Sequence, residues 1–391
     1  MEKLIICISK KIMDKYFLTC PRGLEEVTKK QISSYVNEPI EIDKGGVHFY
    51  GNLKDMYTIN LHSRTGMRLL KNIFAFDLEK PQNLYKNIYN LDWLKFINVN
   101  NTFSIKTKLK SHLFNNASSV SLRIKDAIVD NIRKKKGKRP FINKKNPDVG
   151  LHIFIIDKTV KIYLNTTGIP LHKRGYRSKI HKAALNESLA SGLILLSDWD
   201  KKSNFYDIMC GSGTLPIEAS MIANRIAPGL FRNNFAFQKF DNFNKSLWNK
   251  LLDNAKNNIC FKPNIKIFGS DIINDNIQLS INGAKKIGIE DYINFKVLDM
   301  NDVLANNSKG TVIVNPPYGN RVGVNISLSQ LYKNIGDIFK KKFIGYDTYI
   351  FSGNFEAVKS VGLRSKKRVI LKNGTIDCRL VYYPINSGKF N

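Results

Sequence analysis

NFYDIMCGSGTLPIEA, residues 204–219, decides what the second half of this chain builds. NFYDIMC is a short run of the kind that fills a buried strand, and LPIEA opens a helical pattern. Between them stands Gly211-Ser212-Gly213. Glycines at those two positions let a backbone turn tightly and come close to a ligand, and the turn leads to a helix amino end. The motif is not GxGxxG, and no lysine follows as in a phosphate-binding P-loop. Strand, glycine turn and helix therefore suit a nucleoside and an amino-acid moiety better than a phosphate.

Outward from this stretch the pattern repeats. IKIFGSD, FKVLDM, TVIVNPP and TYIFSG read as strands, and NDNIQLSINGAKKIG and LSQLYKNIGDIFKKK as helices between them. KRVILK and CRLVYYP follow, separated by an Asn-Gly turn signal. Such alternation predicts an α/β fold with a mostly parallel, doubly wound, Rossmann-like sheet, whose ligands bind at the carboxyl ends of the strands.

Three acids fall at successive strand ends: Asp207, Asp271 and Asp299. Asp271 is placed to accept from ribose hydroxyls, and Asp299 from an adenine amino group. Each alone has the ordinary reading of a cap or turn residue. On the fourth strand end stands Asn315-Pro316-Pro317-Tyr318-Gly319. Two prolines fix φ twice and remove two donors, and they hold Asn315 extended. The result is a rigid ledge with one amide side chain, carbonyls free of competing N–H groups, and an aromatic ring. A nucleobase amine is a poor nucleophile, because its lone pair is delocalised into the ring, so its chemistry needs positioning. The Asn315 side-chain oxygen and the Pro316 carbonyl can accept the two amine hydrogens, and Tyr318 can stack on an extruded base.

The first half, up to about Gly168, alternates short strands and helices and is expected to form small α/β sandwiches rather than one wound sheet. The chain carries 62 Lys+Arg against 32 Asp+Glu, a net charge of +30 over 391 residues. Residues 101–150 hold 13 of those bases and 3 of the acids, a third of the whole surplus. A field of this kind attracts polyanions. The basic run Arg133, Lys134, Lys135, Lys136, Lys138 and Arg139 at a helix end suits phosphate contacts, and cations favour helix carboxyl ends in any case. Arg174-Gly175-Tyr176-Arg177 has three readings: RNA contact, lining of the cofactor pocket, or a structural link between domains.

Hydrophobic content of 43% supports proper cores. No apolar run reaches the length of a membrane span, and the first residues lack a small-residue cleavage site. A cytoplasmic protein without membrane contact is expected. Five scattered cysteines (7, 20, 210, 260 and 378) form no CxxC, and there is no HExxH, so no metal site is expected. Cys210, beside the glycines, has no companion base and reads as small-residue packing. His172 and His181 have no partners at a catalytic spacing.

The residues quoted so far resemble class I S-adenosylmethionine-dependent methyltransferases acting on exocyclic amines. More narrowly, CPRGLEEV (20–27), LHKRGYR (171–177), the AALNESLA helix, CGSGTLPIEA with IAPGLFRNNFAF, and NPPYGNRVG resemble the THUMP-domain RNA guanine-N2 methyltransferases of the RlmL/YpsC type. The likeness spans nearly the whole chain, with 207–237 its most specific part. It implies a ferredoxin-like segment over 1–60, a THUMP RNA-binding domain over 61–167 and a catalytic domain over 168–391. It further implies S-adenosylmethionine held by Asp207, Cys210, Gly211, Gly213, Thr214, Asp271, Ile272, Asp299 and Met300, catalysis at Asn315, Pro316, Pro317 and Tyr318, and RNA contacts from the basic run with Arg174 and Arg177. The expected substrate is large-subunit ribosomal RNA. Transfer RNA guanosine, an adenine N6 amine, and a non-catalytic RNA-binding assembly protein are the alternatives. Two positions depart from the family pattern: Ile208 where members often have Pro, and Asn320 where many have Glu. A second methyltransferase domain, present in some relatives, is not expected within this length. The oligomeric state is not legible.

Overall fold

The computed structural model describes residues 13–177, 185–262, 264–305, 309–317 and 327–386. Tyr318, His181 and Cys7 lie outside them.

The first half contributes β1 (Asp14–Thr19), α1 (Glu25–Ile32), β2 (Glu41–Asp43), β3 (Gly46–Gly51), α2 (Leu53–His62), β4 (Arg68–Asp77), α3 (Asn83–Tyr89), β5 (Thr102–Lys110), α4 (Ala117–Lys136), β6 (Phe141–Ile142), β7 (Val149–Ile156) and β8 (Thr159–Asn165). Local chemistry sets the helix ends. Asn52 accepts from the N–H groups of Lys54 and Asp55, while the Asp55 carboxylate accepts from the Asn52 N–H at 2.8 Å, so α2 starts with a closed capping box. Asn116 caps α4 by accepting from the N–H groups of Ser118 and Ser119, without a reciprocal bond, and Gly137 ends it in the left-handed region at φ 68°. The stretch NLYKNIYNLDWLKFI, helical in pattern across 83–97, does not run as one helix: α3 ends at Tyr89. Trp93 restarts it as a single tight turn and buries its ring, donating its indole N–H to Ile88 O at 2.7 Å.

The strands of this half do not form separate sandwiches. They join into one eight-stranded sheet in the order β2-β3-β1-β4-β8-β7-β5-β6. The reason is β4, ten residues long. Its first residues pair with β1, Thr19 against Arg68 through Tyr16 against Lys71, while nearly its whole length pairs with β8. One strand therefore completes both modules. Apolar side chains of β5, β7, β8 and α4 form one core on one side of this sheet.

The second half adds α5 (Glu187–Leu196), β9 (Asn204–Asp207), α6 (Thr214–Ala223), α7 (Lys245–Asn257), β10 (Ile267–Asp271), α8 (Asn274–Lys285), β11 (Asn294–Val297), β12 (Gly310–Val314), α9 (Leu328–Lys342), β13 (Tyr346–Ser352), β14 (Lys367–Asn373) and β15 (Ile376–Pro384). Its seven-stranded sheet runs β11-β10-β9-β12-β13-β15-β14. Every pairing is parallel except those of β15 with β13 and β14, so the doubly wound expectation holds. The strand order reverses between β9 and β12, which makes their carboxyl ends the crevice where such sheets bind ligands.

The two halves share a core. Tyr57 of α2 packs on Phe237 at 4.6 Å and edge-on to Trp248 of α7 at 5.8 Å between ring centroids. Its hydroxyl also accepts the Asn244 N–H at 2.9 Å.

Candidate active site

Each strand end of the crevice holds its neighbour. Beyond β9, the Cys210 N–H donates to Ser270 O and the Gly211 N–H to Asp271 Oδ2, both at 2.9 Å. Asp271 Oδ1 accepts from the Ile273 N–H and the Asn276 side-chain amide, each at 3.0 Å. Ser280 of α8 donates its hydroxyl to Gly211 O at 3.0 Å. Glycine is needed at 213 for two reasons. Its φ is +72°, and a Cβ there would lie 2.7 Å from the Ser280 Cβ. At Gly211, φ +52° is the whole demand, because a Cβ would meet nothing within 4 Å. The turn thus leaves open space over Gly211 and packs tightly behind Gly213.

Asp271 is the keystone of this turn as well as its expected ribose acceptor. A carboxylate offers about four lone-pair directions, and three donors use Asp271 from below, so capacity remains for a hydroxyl. The side chains that follow, Ile272 and Ile273, are 61% and 53% exposed at the strand end. Large apolar groups left in solvent beside such an acceptor suit the face of a purine ring. Asp299 takes the bland alternative in part: its Oδ1 accepts from the N–H and side-chain amide of Asn301, both at 2.8 Å, capping a short turn that buries Met300.

Asp207 is enclosed. Burial pushes its carboxyl up to about 8, against the Met209 N–H that it accepts at 3.2 Å, with the nearby Asp271 charge adding to the rise. Cys210 is buried too, and burial drives its thiol well above the ordinary range, with the Asp207 and Asp271 charges adding. It is a packed thiol, not a nucleophile.

Across the crevice, all five residues of β12 are buried, and its register sets Val312 beside Tyr206. Asn315 and Met209 each lie three residues beyond these paired positions, past the strand ends that flank the switch point. Pro316 is buried and Asn315 half-buried. The Asn315 Oδ1 is buried with no hydrogen-bond partner among the described residues. An orphan acceptor of this kind costs stability unless something donates to it.

The structure corrects the placing of Arg174 at an RNA surface. Its side chain is 1% exposed and faces Glu218 of α6, itself fully buried, at 3.4 Å. The guanidinium also donates to Leu171 O at 2.9 Å and to Arg64 O. Glu218 further accepts from the Tyr176 hydroxyl at 3.2 Å and from Ser191. Desolvating a guanidinium this far leaves nothing to offer a phosphate. Arg177 pairs with Glu187 at 3.4 Å and donates to Thr214, the first residue of α6, so it supports the glycine turn from behind. From the first half, Arg64 donates to Ile226 O at 2.9 Å, just past the other end of that helix. The sequence reading missed Glu218, Asn276, Ser280 and Arg64. Only Glu218, an acid inside the apolar run LPIEASMIA, carried a visible signal.

The basic helix end does face solvent. Two of its six charges are partly neutralised, Arg133 by Asp130 at 2.9 Å and Lys135 by Asp92 at 3.5 Å.

The chain matches known protein families along most of its length. Residues 174–382 match the RMKL-like methyltransferase domain, 80–165 the THUMP domain and 15–70 the RlmL ferredoxin-like domain. The chain belongs to the RMKL-like methyltransferase family. A candidate RNA methyltransferase of Synechocystis sp. is 33% identical over 95% of this chain and 96% of its own length. The ribosomal RNA large subunit methyltransferase K/L of Shewanella sediminis is 34% identical over 96% of this chain, which spans only 53% of that enzyme. A candidate methyltransferase, SMU.472, solved in complex with SAH superposes with a TM-score of 0.86 at 26% identity, over 96% of this chain and 99% of that one. The cofactor of the RMKL-like chain is S-adenosylmethionine, and the open space over Gly211, the spare capacity of Asp271 and exposed Ile272 fit it.

Proposed function

We propose that the chain methylates the N2 amine of a guanine in large-subunit ribosomal RNA, with the domain division 1–60, 61–167 and 168–391 belonging to the same reading. The observation that carries the chemistry is the orphan Asn315 Oδ1 at the end of β12. A buried acceptor without a donor, held beside the glycine turn by two prolines, is matched by a substrate that brings N–H groups. An exocyclic amine brings two, one for Asn315 Oδ1 and one for the Pro316 carbonyl. Accepting both hydrogens turns the nitrogen lone pair toward the crevice and stabilises positive charge as it develops there. When bound, S-adenosylmethionine supplies an electrophilic methyl group. Gly211 and Gly213 give its amino-acid end room, Asp271 and Ile272 take the nucleoside, and Asp299 and Met300 border the adenine. Tyr318 is assigned to base stacking.

The choice of ribosomal RNA rests on the Shewanella relative's name, and that of guanine on the resemblance to the THUMP-domain guanine-N2 methyltransferases. Methyl transfer from labelled cofactor to unmodified ribosomal and transfer RNA, followed by nucleoside mass spectrometry, tests it. N2-methylguanosine in ribosomal RNA, lost with Asn315→Ala, is the expected result. Label in transfer RNA or in methyladenosine overturns the substrate assignment and keeps the amine chemistry.

A further inference from the structure

Helices cover one face of the eight-stranded sheet, and the other face has a distinct composition. Successive strand residues point to opposite faces. In β7, Leu151, Ile153 and Ile155 enter the helix-side core, whereas Phe154 belongs to a separate small cluster with Phe17, Leu70 and Tyr163. Residues paired directly across strands share a face. The register places Lys106 opposite His152, Lys108 opposite Phe154 and Lys110 opposite Ile156. On the other side of β7, Lys161 stands opposite Phe154. All four lysines therefore lie on the side away from the helices. Lys106, Lys108 and Lys110 are exposed, while Ile105, Thr107 and Leu109 alternate with them.

Aromatic rings are interleaved with these charges. The Lys108 Nζ lies 5.7 Å from the Phe154 ring centroid, and the Lys15 Nζ lies 5.5 Å from that of Tyr50. None of Lys15, Arg68, Lys106, Lys108, Lys110 and Lys161 forms an ion pair among the described residues. The Arg68 Nε is buried without a partner. Burial, with the Arg68 and Lys106 charges adding, holds the His152 imidazole down at about 3. Among the described residues, the acids of this face lie toward its margins, where exposed Glu41 stands opposite His48, Asp43 engages His48 and Asp77 accepts from Thr159. Met67, beside Arg68, accepts the Leu171 N–H at 2.8 Å, so the basic face borders the start of the segment that carries Arg174 and Arg177.

We propose that this open sheet face is the RNA-docking surface, with the nucleic-acid backbone crossing β5, β7 and β8 toward Arg68 and the active site. The assignment rests on RNA being the partner, as under the proposed function, and replaces the α4 end as the main contact. Lysines two apart on a strand stand about 6.6 Å from one another. A ladder of unpaired cations with rings between them answers both halves of a nucleotide, phosphate and base. An acidic protein would use the charges and leave the rings without partners.

The test uses the full chain and an unmodified large-subunit ribosomal RNA transcript, with dissociation constants measured across a salt series. One variant is Lys106→Ala/Lys108→Ala/Lys110→Ala, the other Lys134→Ala/Lys136→Ala/Lys138→Ala. The removed side chains are exposed, and unchanged thermal unfolding and cofactor binding verify the fold. The sheet variant is expected to bind about tenfold more weakly at physiological salt, with the slope of log K against log salt reduced by about 2. The helix-end variant changes less. Wild-type affinity and slope in the sheet variant overturn the proposal. So does equal binding of polyglutamate and RNA by the wild type, which would mark a surface for acidic protein. Binding is scored without turnover. Loss of RNA binding in the sheet variant, together with no methyl transfer by the wild type, would retain the face and refute the reaction.

Discussion

Replacing Asn315 by Ala separates a residue that serves the fold from one that serves the reaction. In the free protein its Oδ1 is buried and accepts from nothing among the described residues. A buried acceptor left unpaired costs about 1–3 kcal/mol. Truncation removes that cost, and the packing lost from a half-buried side chain of this size is about 1 kcal/mol or less. Folding stability should therefore stay level or rise by about 1 kcal/mol. Transfer should collapse, because the acceptor is missing when charge develops on the amine. Loss of one preorganised hydrogen-bonding group of this kind lowers turnover by about 10²- to 10³-fold. Urea unfolding midpoints and single-turnover rates with labelled cofactor measure the two effects on the same preparations. A variant destabilised by more than about 1 kcal/mol that still transfers methyl near the wild-type rate would refute the reasoning, since Asn315 would then be a structural residue with an internal partner.

Three other substitutions follow from the site. With its carboxyl held up at about 8 by burial, Asp207 binds a proton in the native state across a range where the unfolded chain does not. Stability should fall as pH rises from about 4 to 8, by at most about 1.4 kcal/mol per pH unit. Asp207→Asn should flatten that slope, and denaturation curves at a series of pH values giving the same slope for both proteins would exclude the buried proton. Glu218→Gln leaves Arg174 buried without its counter-charge and should cost about 3–5 kcal/mol. Adding Arg174→Met should recover part of it, whereas a single-variant cost near zero in urea titrations would mean the pair is not enclosed. Asp299→Ala should weaken cofactor binding about tenfold, about 1.4 kcal/mol; calorimetry returning wild-type affinity would leave Asp299 as a turn cap alone.

The second half was legible because its signals are local. LSQLYKNIGDIFKKK begins one residue after its capping Ser327 and coincides with α9. The Asn-Gly signal marks the hairpin between β14 and β15, with Asn373 ending the strand and Gly374, at φ 64°, opening the two-residue turn. The first half yielded its strands but not their assembly. Whether β4 stops at β1 or also reaches β8 is set by pairing between distant segments, such as Leu70 with Asn165, 95 residues on, and nothing in either segment names its partner. Arg174 misled for a related reason. A guanidinium in a polar, glycine-containing stretch looks exposed until the acid that buries it, Glu218, is brought in from α6. Conversely, the alternation Lys106, Lys108, Lys110 was visible at period two and marks a half-open strand, but the denser run at the end of α4 drew the eye.

The shared strand β4 has a consequence for how such a chain measures its substrate. Its pairing with both β1 and β8 leaves no hinge between the two amino-terminal modules. The Tyr57–Phe237 packing and the Arg64 hydrogen bond to Ile226 O then fasten that sheet to the catalytic half. The protein is a caliper with its jaws fixed. For RNA gripped at one jaw, the base presented at the other is chosen by how the RNA folds across a set span, so an inserted or deleted nucleotide between grip and target would shift the modified position rather than bend the enzyme.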